Sequence, residues 1–247
     1  MLKFVLFGDS ITQFSNQIGD DFALQPALQN MLIRKFDVLN RGYSGYNSEH
    51  ARLILPKILQ EEGKESRENG ITLMTIFFGT NDAFTHNELQ PVAIDRYREN
   101  IGYLVTLAQK NGITPVVIGP GLHDSELVKQ SAMVNSGDLA EPWTTNKRNH
   151  EYSEAAKSVA KQHGVAFIDL WNRFREEGGW SEQQLLSGAS VSGMDAFLND
   201  GVHYTSRAYR ILFDEIVKAI EHETASVPTR LADWKEIDPK NINSIFN

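Results

Sequence analysis

The chain alternates between two kinds of segment. Five short runs of β-branched, aromatic and aliphatic residues, Lys3 to Phe7, Asp37 to Asn40, Thr72 to Phe78, Thr114 to Ile118 and Ala166 to Asp169, are separated by longer stretches of helical periodicity. Among the latter, Tyr97, Ile101, Leu104, Val105 and Ala108 fall on one helical stripe, and Tyr209, Leu212, Ile216, Val217 and Ile220 on another. Strands that alternate with helices build a parallel sheet covered on both faces.

The pattern predicts an α/β protein: a flavodoxin-like three-layer α/β/α sandwich with a five-stranded parallel sheet. The 247 residues fit one such domain, so 1–223 are read as the domain and 224–247, which contain Pro228 and Pro239, as a C-terminal tail packed on it. Gly8, Gly42 with Gly45, Gly79 and Gly119-Pro120-Gly121 each follow a strand and mark one edge of the sheet. In an open parallel sheet the loops at that edge line the ligand crevice, so residues there are the functional candidates. Gly112 and Gly164, each just before a strand, read as helix C-terminal glycines. Two segments resist the scheme: His123 to Trp143 and Ser187 to Leu198 read as loops, candidates for lids over a crevice.

Composition removes several function classes. The formal charge is −8 and the isoelectric point near 5.4, which argues against a nucleic-acid partner. With no cysteine there is no disulfide, thiolate nucleophile or cysteine-ligated zinc. The apolar start, Met1 to Phe7, breaks at Gly8-Asp9-Ser10, short of a signal sequence, and no run approaches the roughly 20 apolar residues a membrane span needs. A cytoplasmic protein without a membrane partner is the expectation.

Gly8-Asp9-Ser10-Ile11-Thr12 places a serine directly after the first strand, where a glycine lets the chain turn and a following helix N-terminus favours negative charge. Taken alone, the same serine reads first as a helix N-cap. Asp9 as a phosphoryl-accepting carboxylate would need a second aspartate two residues on, where Ile11 stands. Asp200-Gly201-Val202-His203 supplies a carboxylate and an imidazole that one turn can bring together, either a base with its orienting group or a helix-capping aspartate beside a surface histidine. Asn40-Arg41-Gly42-Tyr43-Ser44-Gly45 and Gly79-Thr80-Asn81-Asp82 are ordinary turn sequences. They also supply a backbone N–H and a side-chain amide, the donor types that stabilise the oxyanion of acyl transfer.

In this order, the four blocks from Gly8 to His203 resemble the SGNH, or GDSL-like, hydrolase superfamily. The resemblance implies Ser10 as nucleophile, His203 as general base and Asp200 as its orienting carboxylate. It implies an oxyanion hole made by the backbone N–H groups of Ser10 and Gly45 and the side-chain amide of Asn81. Gly42 also matches a motif glycine and is read as a turn residue, while Asp9 is expected to support the Ser10 loop and Asp82 to brace Asn81.

A narrower resemblance, to the isoamyl acetate-hydrolysing esterases, lies in Ala83 after the Asn81 block, Ile118-Gly119-Pro120-Gly121-Leu122, Glu176-Glu177-Gly178-Gly179 and Leu231-Ala232-Asp233-Trp234. Relative to that group, Gly188 to Leu198 reads as an insertion next to His203. The resemblance implies a cofactor-free serine esterase acting on acetate or short-acyl esters through an acyl-enzyme, with a small-molecule substrate and a possible homodimer. The same blocks also serve O-acetyl-sugar deacetylases, thioesterases and lysophospholipases, and an inactive scaffold would be a binding module. Phe84, Leu122 and Val202 flank the catalytic loops and are candidates for the substrate pocket. His50, His86, His123, His150, His163 and His222 show no metal-ligand spacing and read as solvent-exposed, so no metal is expected. Trp143, Trp171, Trp180 and Trp234 read as residues that bury area.

Overall fold

A computed structural model describes residues 1–18, 21–62, 70–85, 89–136, 144–188 and 191–246. In chain order its elements are β1 (Leu2–Gly8), α1 (Ser10–Gln13), α2 (Leu24–Met31), β2 (Phe36–Gly42), α3 (Ser48–Glu62), β3 (Ile71–Phe77), α4 (Ile94–Lys110) and β4 (Thr114–Ile118). There follow α5 (Ser125–Ser136), α6 (Asn146–His163), β5 (Ala166–Ile168), α7 (Leu170–Gly178), α8 (Glu182–Leu186) and α9 (Ser206–Ala225). The five strands form one parallel sheet in the order β2-β1-β3-β4-β5, the doubly wound order expected of the flavodoxin-like sandwich.

The two-residue period of the strands divides their side chains between two cores. Phe4 and Leu6 of β1, Leu73 and Phe77 of β3, and Val116 and Ile118 of β4 face one layer, with Leu24 and Leu28 of α2, Trp171 and Phe174 of α7, and Tyr209, Leu212 and Ile216 of α9. Val5 and Phe7, Met74 and Ile76, and Val117 face the other, with Leu55 of α3, Ile101 and Val105 of α4, and Ala156 and Val159 of α6. The long helices are shaped by caps as well as stripes. Thr145 caps α6 by accepting from the Arg148 N–H, and Gly164 ends that helix at φ 64°.

Several sequence expectations change. The stretch from His123 is not a loop: Asp124 accepts from the N–H groups of Glu126 and Leu127 and starts α5, a helix whose apolar stripe is too weak to show in the sequence. Residues 137–143, which complete that stretch and include Trp143, lie outside the described residues, as does His86. The end of the Ser187 to Leu198 stretch is not a free lid either. Met194, Phe197 and Leu198 are buried in the core, and Trp180 Nε1 donates to the Ser192 carbonyl at 3.2 Å; 189–190 lie outside the described residues.

The third change concerns Gly42, which ends β2 without a positive φ. Its lack of a side chain answers to close approach, because a Cβ there would fall on the Gln13 backbone. Two further changes are His123, which is buried rather than exposed, and Trp234, which is exposed rather than buried.

Residues of the tail touch the α2–β2 connection: Arg34 pairs with Asp233, the Arg230 N–H donates to the Arg34 carbonyl, and Ala232 is buried. No helix among the described residues is long and apolar enough to cross a membrane.

Candidate active site

All four sequence blocks sit at the carboxyl ends of β1, β2 and β3 or on the turn before α9. The β2-β1-β3 order puts β1 at the centre, so the serine after it lies between the loops that follow β2 and β3.

Ser10 is the first residue of α1 and not its cap. Asp9 is the cap, with Oδ1 accepting from the Ile11 N–H at 2.9 Å, and this leaves the Ser10 hydroxyl free of capping duty. As a first-turn residue, Ser10 carries one of the N–H groups a helix leaves unpaired. The short helix is held from two sides: Asn40 Nδ2 donates to the Thr12 carbonyl at 2.9 Å, and the Tyr209 hydroxyl donates to the Ile11 carbonyl at 2.6 Å.

Asp200 and His203 are arranged by a small hairpin. Leu198 and Tyr204 form an antiparallel bridge, the Asn199 N–H donates to the His203 carbonyl, and Gly201 turns the chain at φ 90°. Within the turn Asp200 Oδ1 accepts from the N–H groups of Val202 and His203, at 2.9 and 2.8 Å. Its Oδ2 lies 2.6 Å from His203 Nδ1, and His203 Nε2 lies 2.9 Å from Ser10 Oγ, 193 residues away in sequence. Asp200 therefore does not cap α9; Thr205 does. The Phe14 ring stands edge-on to the imidazole, with centroids 5.2 Å apart.

Electrostatics separates three carboxyls. Burial raises Asp200, but the His203 hydrogen bond and charge, with the two N–H bonds, overcome it and bring the group down to about 2. Asp200 is thus an anion at neutral pH and holds Nδ1 protonated, which leaves Nε2 as an acceptor for the serine proton. Asp9 and Asp82, wholly enclosed, are pushed up to about 7 by burial. Burial likewise pushes His123 down to about 4, with Asp200 opposing.

Gly45 and Asn81 lie in neighbouring loops. Tyr43 to Tyr46 close a turn, the Tyr46 N–H donating to the Tyr43 carbonyl at 3.1 Å, and Gly45 at its third position has φ 80°, as a type II turn requires. The Gln13 side chain accepts from the Ser44 N–H at 2.9 Å and ties this turn to α1. Asn81, buried, donates from Nδ2 to the Tyr46 carbonyl at 2.8 Å. That amide nitrogen has two hydrogens, so one remains for a ligand. The Asp82 carboxylate does not touch Asn81: it accepts from the Ser48 N–H at 3.0 Å and from the Ser48 hydroxyl, and so anchors the start of α3, which follows the Gly45 turn.

Phe84, Leu122 and Val202 are buried, and Leu122 belongs to the core. A groove of about 310 Å³ beside the Asp200–His203 edge is lined by Phe14, Gln17, Ile18, Asn199 and Tyr204, among others. Sequence reasoning missed the residues that hold the loops: Asn40, Gln13, Tyr209 and Gln90. Asn40 opens a motif block, which is its signal, and Tyr209 is marked only as part of an apolar stripe; Gln13 and Gln90 are polar groups with no local mark.

Residues 6–211 match the GDSL-like lipase/acylhydrolase family. The chain is 36% identical to the isoamyl acetate-hydrolyzing esterase of Saccharomyces cerevisiae over 98% of both chains. It is 31% identical to the isoamyl acetate-hydrolyzing esterase 1 homolog of Bos taurus, over 95% of this chain and 88% of that one. Among solved structures, an acetylxylan esterase from Geobacillus stearothermophilus shares the fold with a TM-score of 0.65 at 16% identity, covering 92% of this chain and 97% of that one.

Proposed function

The chain belongs to the GDSL-like lipase/acylhydrolase family, and from that premise we propose that it is a serine esterase that hydrolyses small carboxylic esters, acetates or other short acyl esters, through an acyl-enzyme. The observation that carries the reading is the relay itself: His203 stands 2.9 Å from Ser10 Oγ on one side and 2.6 Å from Asp200 on the other.

Ser10 Oγ attacks the ester carbonyl carbon while His203 Nε2 takes the hydroxyl proton, and Asp200 stabilises the imidazolium that forms. The carbonyl oxygen becomes an oxyanion, met by the N–H groups of Ser10 and Gly45 and the free Asn81 amide hydrogen. Collapse breaks the ester C–O bond, and the imidazolium gives its proton to the departing alkoxide. Water then attacks the acyl-enzyme, its proton passing to His203 and on to Ser10 as the acid leaves. Similarity to esterases named for isoamyl acetate supports the small acyl group.

The test is hydrolysis of p-nitrophenyl esters from acetate to palmitate by the wild type and by Ser10→Ala. Acetate or butyrate turned over best, with Ser10→Ala inert, is the expected result. Preference for long chains overturns the small-ester reading, and cleavage by Ser10→Ala overturns the nucleophile.

A further inference from the structure

We propose that Gln90 is a positioning residue that sets the oxyanion hole, an inference that rests on the esterase reading above. Gly45 follows β2 and Asn81 follows β3, and these strands are not neighbours, because β1 lies between them. Each of the two strands is laddered to β1 and not to the other, so beyond the strand ends it is side chains that tie the two loops to each other. Gln90 Nε2 donates to the Gly45 carbonyl at 3.2 Å and to Asn81 Oδ1 at 3.1 Å, so one nitrogen spans both loops.

The orientation of every amide in this chain of bonds follows from its partners. The Tyr46 carbonyl can only accept, so Asn81 turns Nδ2 to it and Oδ1 to Gln90. Gln90 faces two acceptors and must present its own nitrogen. Its backbone is held in turn: Asn47 Nδ2 donates to the Gln90 carbonyl at 2.9 Å, and the Val92 N–H donates to the Asp82 carbonyl at 3.1 Å. A flip of the Asn81 amide would aim an oxygen at the oxyanion and replace a donor by a repulsive acceptor. Gln90 opposes that flip, because a flipped Asn81 would present an N–H to an N–H. It also holds the carbonyl side of the Gly45 peptide, while Gln13 holds the N–H side of Ser44.

The experiment uses Gln90→Met and Gln90→Glu, which keep the length of the side chain and remove its hydrogens, each made in the wild type and in Asn81→Ala, with p-nitrophenyl acetate as substrate. In the wild type, kcat is expected to fall by about 10- to 100-fold with KM within about twofold, since the loss is one of donor geometry in the transition state. In the Asn81→Ala background the same substitutions are expected to change kcat by less than about twofold, because the group they position is already gone. Equal losses in both backgrounds, as general damage to the fold would give, overturn the role, and so does wild-type kcat in either single variant. A wild type that cleaves no ester overturns the esterase reading itself and this inference with it, an outcome distinct from an active enzyme indifferent to Gln90.

Discussion

Gly8 and Gly42 are the last residues of β1 and β2 and stand directly opposite each other in the sheet. Neither has room for a side chain: a Cβ on Gly8 would fall on Thr12 and within 2.7 Å of the Phe77 carbonyl oxygen, and one on Gly42 would fall on the Gln13 backbone. The helix that begins with Ser10 therefore rests on a two-glycine floor.

Gly42→Ala tests this support. The methyl meets backbone atoms rather than a flexible side chain, so α1 must shift. Overpacking of this kind costs roughly 1–3 kcal/mol or more, and a displaced Ser10 loses rate beyond the stability loss. Expected are a lower Tm and a reduced kcat measured well below that Tm. A variant with wild-type Tm and kcat would show that α1 does not depend on the close approach.

Asn81→Ala tests the proposed side-chain oxyanion donor. Loss of one such donor lowers kcat by about 10²- to 10³-fold, with little change in KM, in steady-state assays on p-nitrophenyl acetate. Full activity would remove Asn81 from the hole.

Asp200→Asn inverts the imidazole. The two backbone N–H groups of Val202 and His203 keep the amide oxygen in the place of Oδ1, so the amide nitrogen faces His203 Nδ1. Nδ1 must then accept, the ring proton moves to Nε2, and the base can no longer take the Ser10 proton. A fall in kcat of about 10⁴-fold is the scale of such a tautomer error. Activity within tenfold of wild type at pH 8 would show that Asp200 does not orient the base.

Asp9→Asn reads out a buried carboxyl through pH. In the folded chain Asp9 is raised to about 7 by burial, against an ordinary value of 3.8 for the free group. Between those values the unfolded chain gives up a proton that the folded chain keeps. The stability Asp9 allows is thus complete below pH 3.8, declines as pH rises through about 7, and is constant above. Asn carries no such proton. The difference in Tm, Asp9→Asn minus wild type, is expected to grow from pH 4 to pH 8, measured by thermal melts in matched buffers. His123, whose own titration falls in part of this window, is present in both proteins and cancels. A difference that stays flat or shrinks with pH would refute the buried, protonated Asp9.

The strands, their order of breakers and the edge at which chemistry gathers are legible in the chain because each depends on short-range pattern. Apolar runs of strand length, such as Thr114 to Ile118, have one low-energy solution when helical stripes flank them, and their ends in the fold differ by at most one or two residues. The family resemblance likewise picks out Ser10, Asp200 and His203 as a set, and the fold brings their side chains within hydrogen-bond reach. Where polar groups find partners, in contrast, depends on how the chain packs in three dimensions. Asp82 grips Ser48 and not its neighbour Asn81, Asp124 starts a helix in a stretch with little stripe, His123 is buried, and Gln90 bridges two loops whose strands never touch. Hydrogen-bond partners are chosen by proximity across dozens of residues, a quantity that no local period encodes, whereas the two- and 3.6-residue periods that build strands and helices are written in the chain itself.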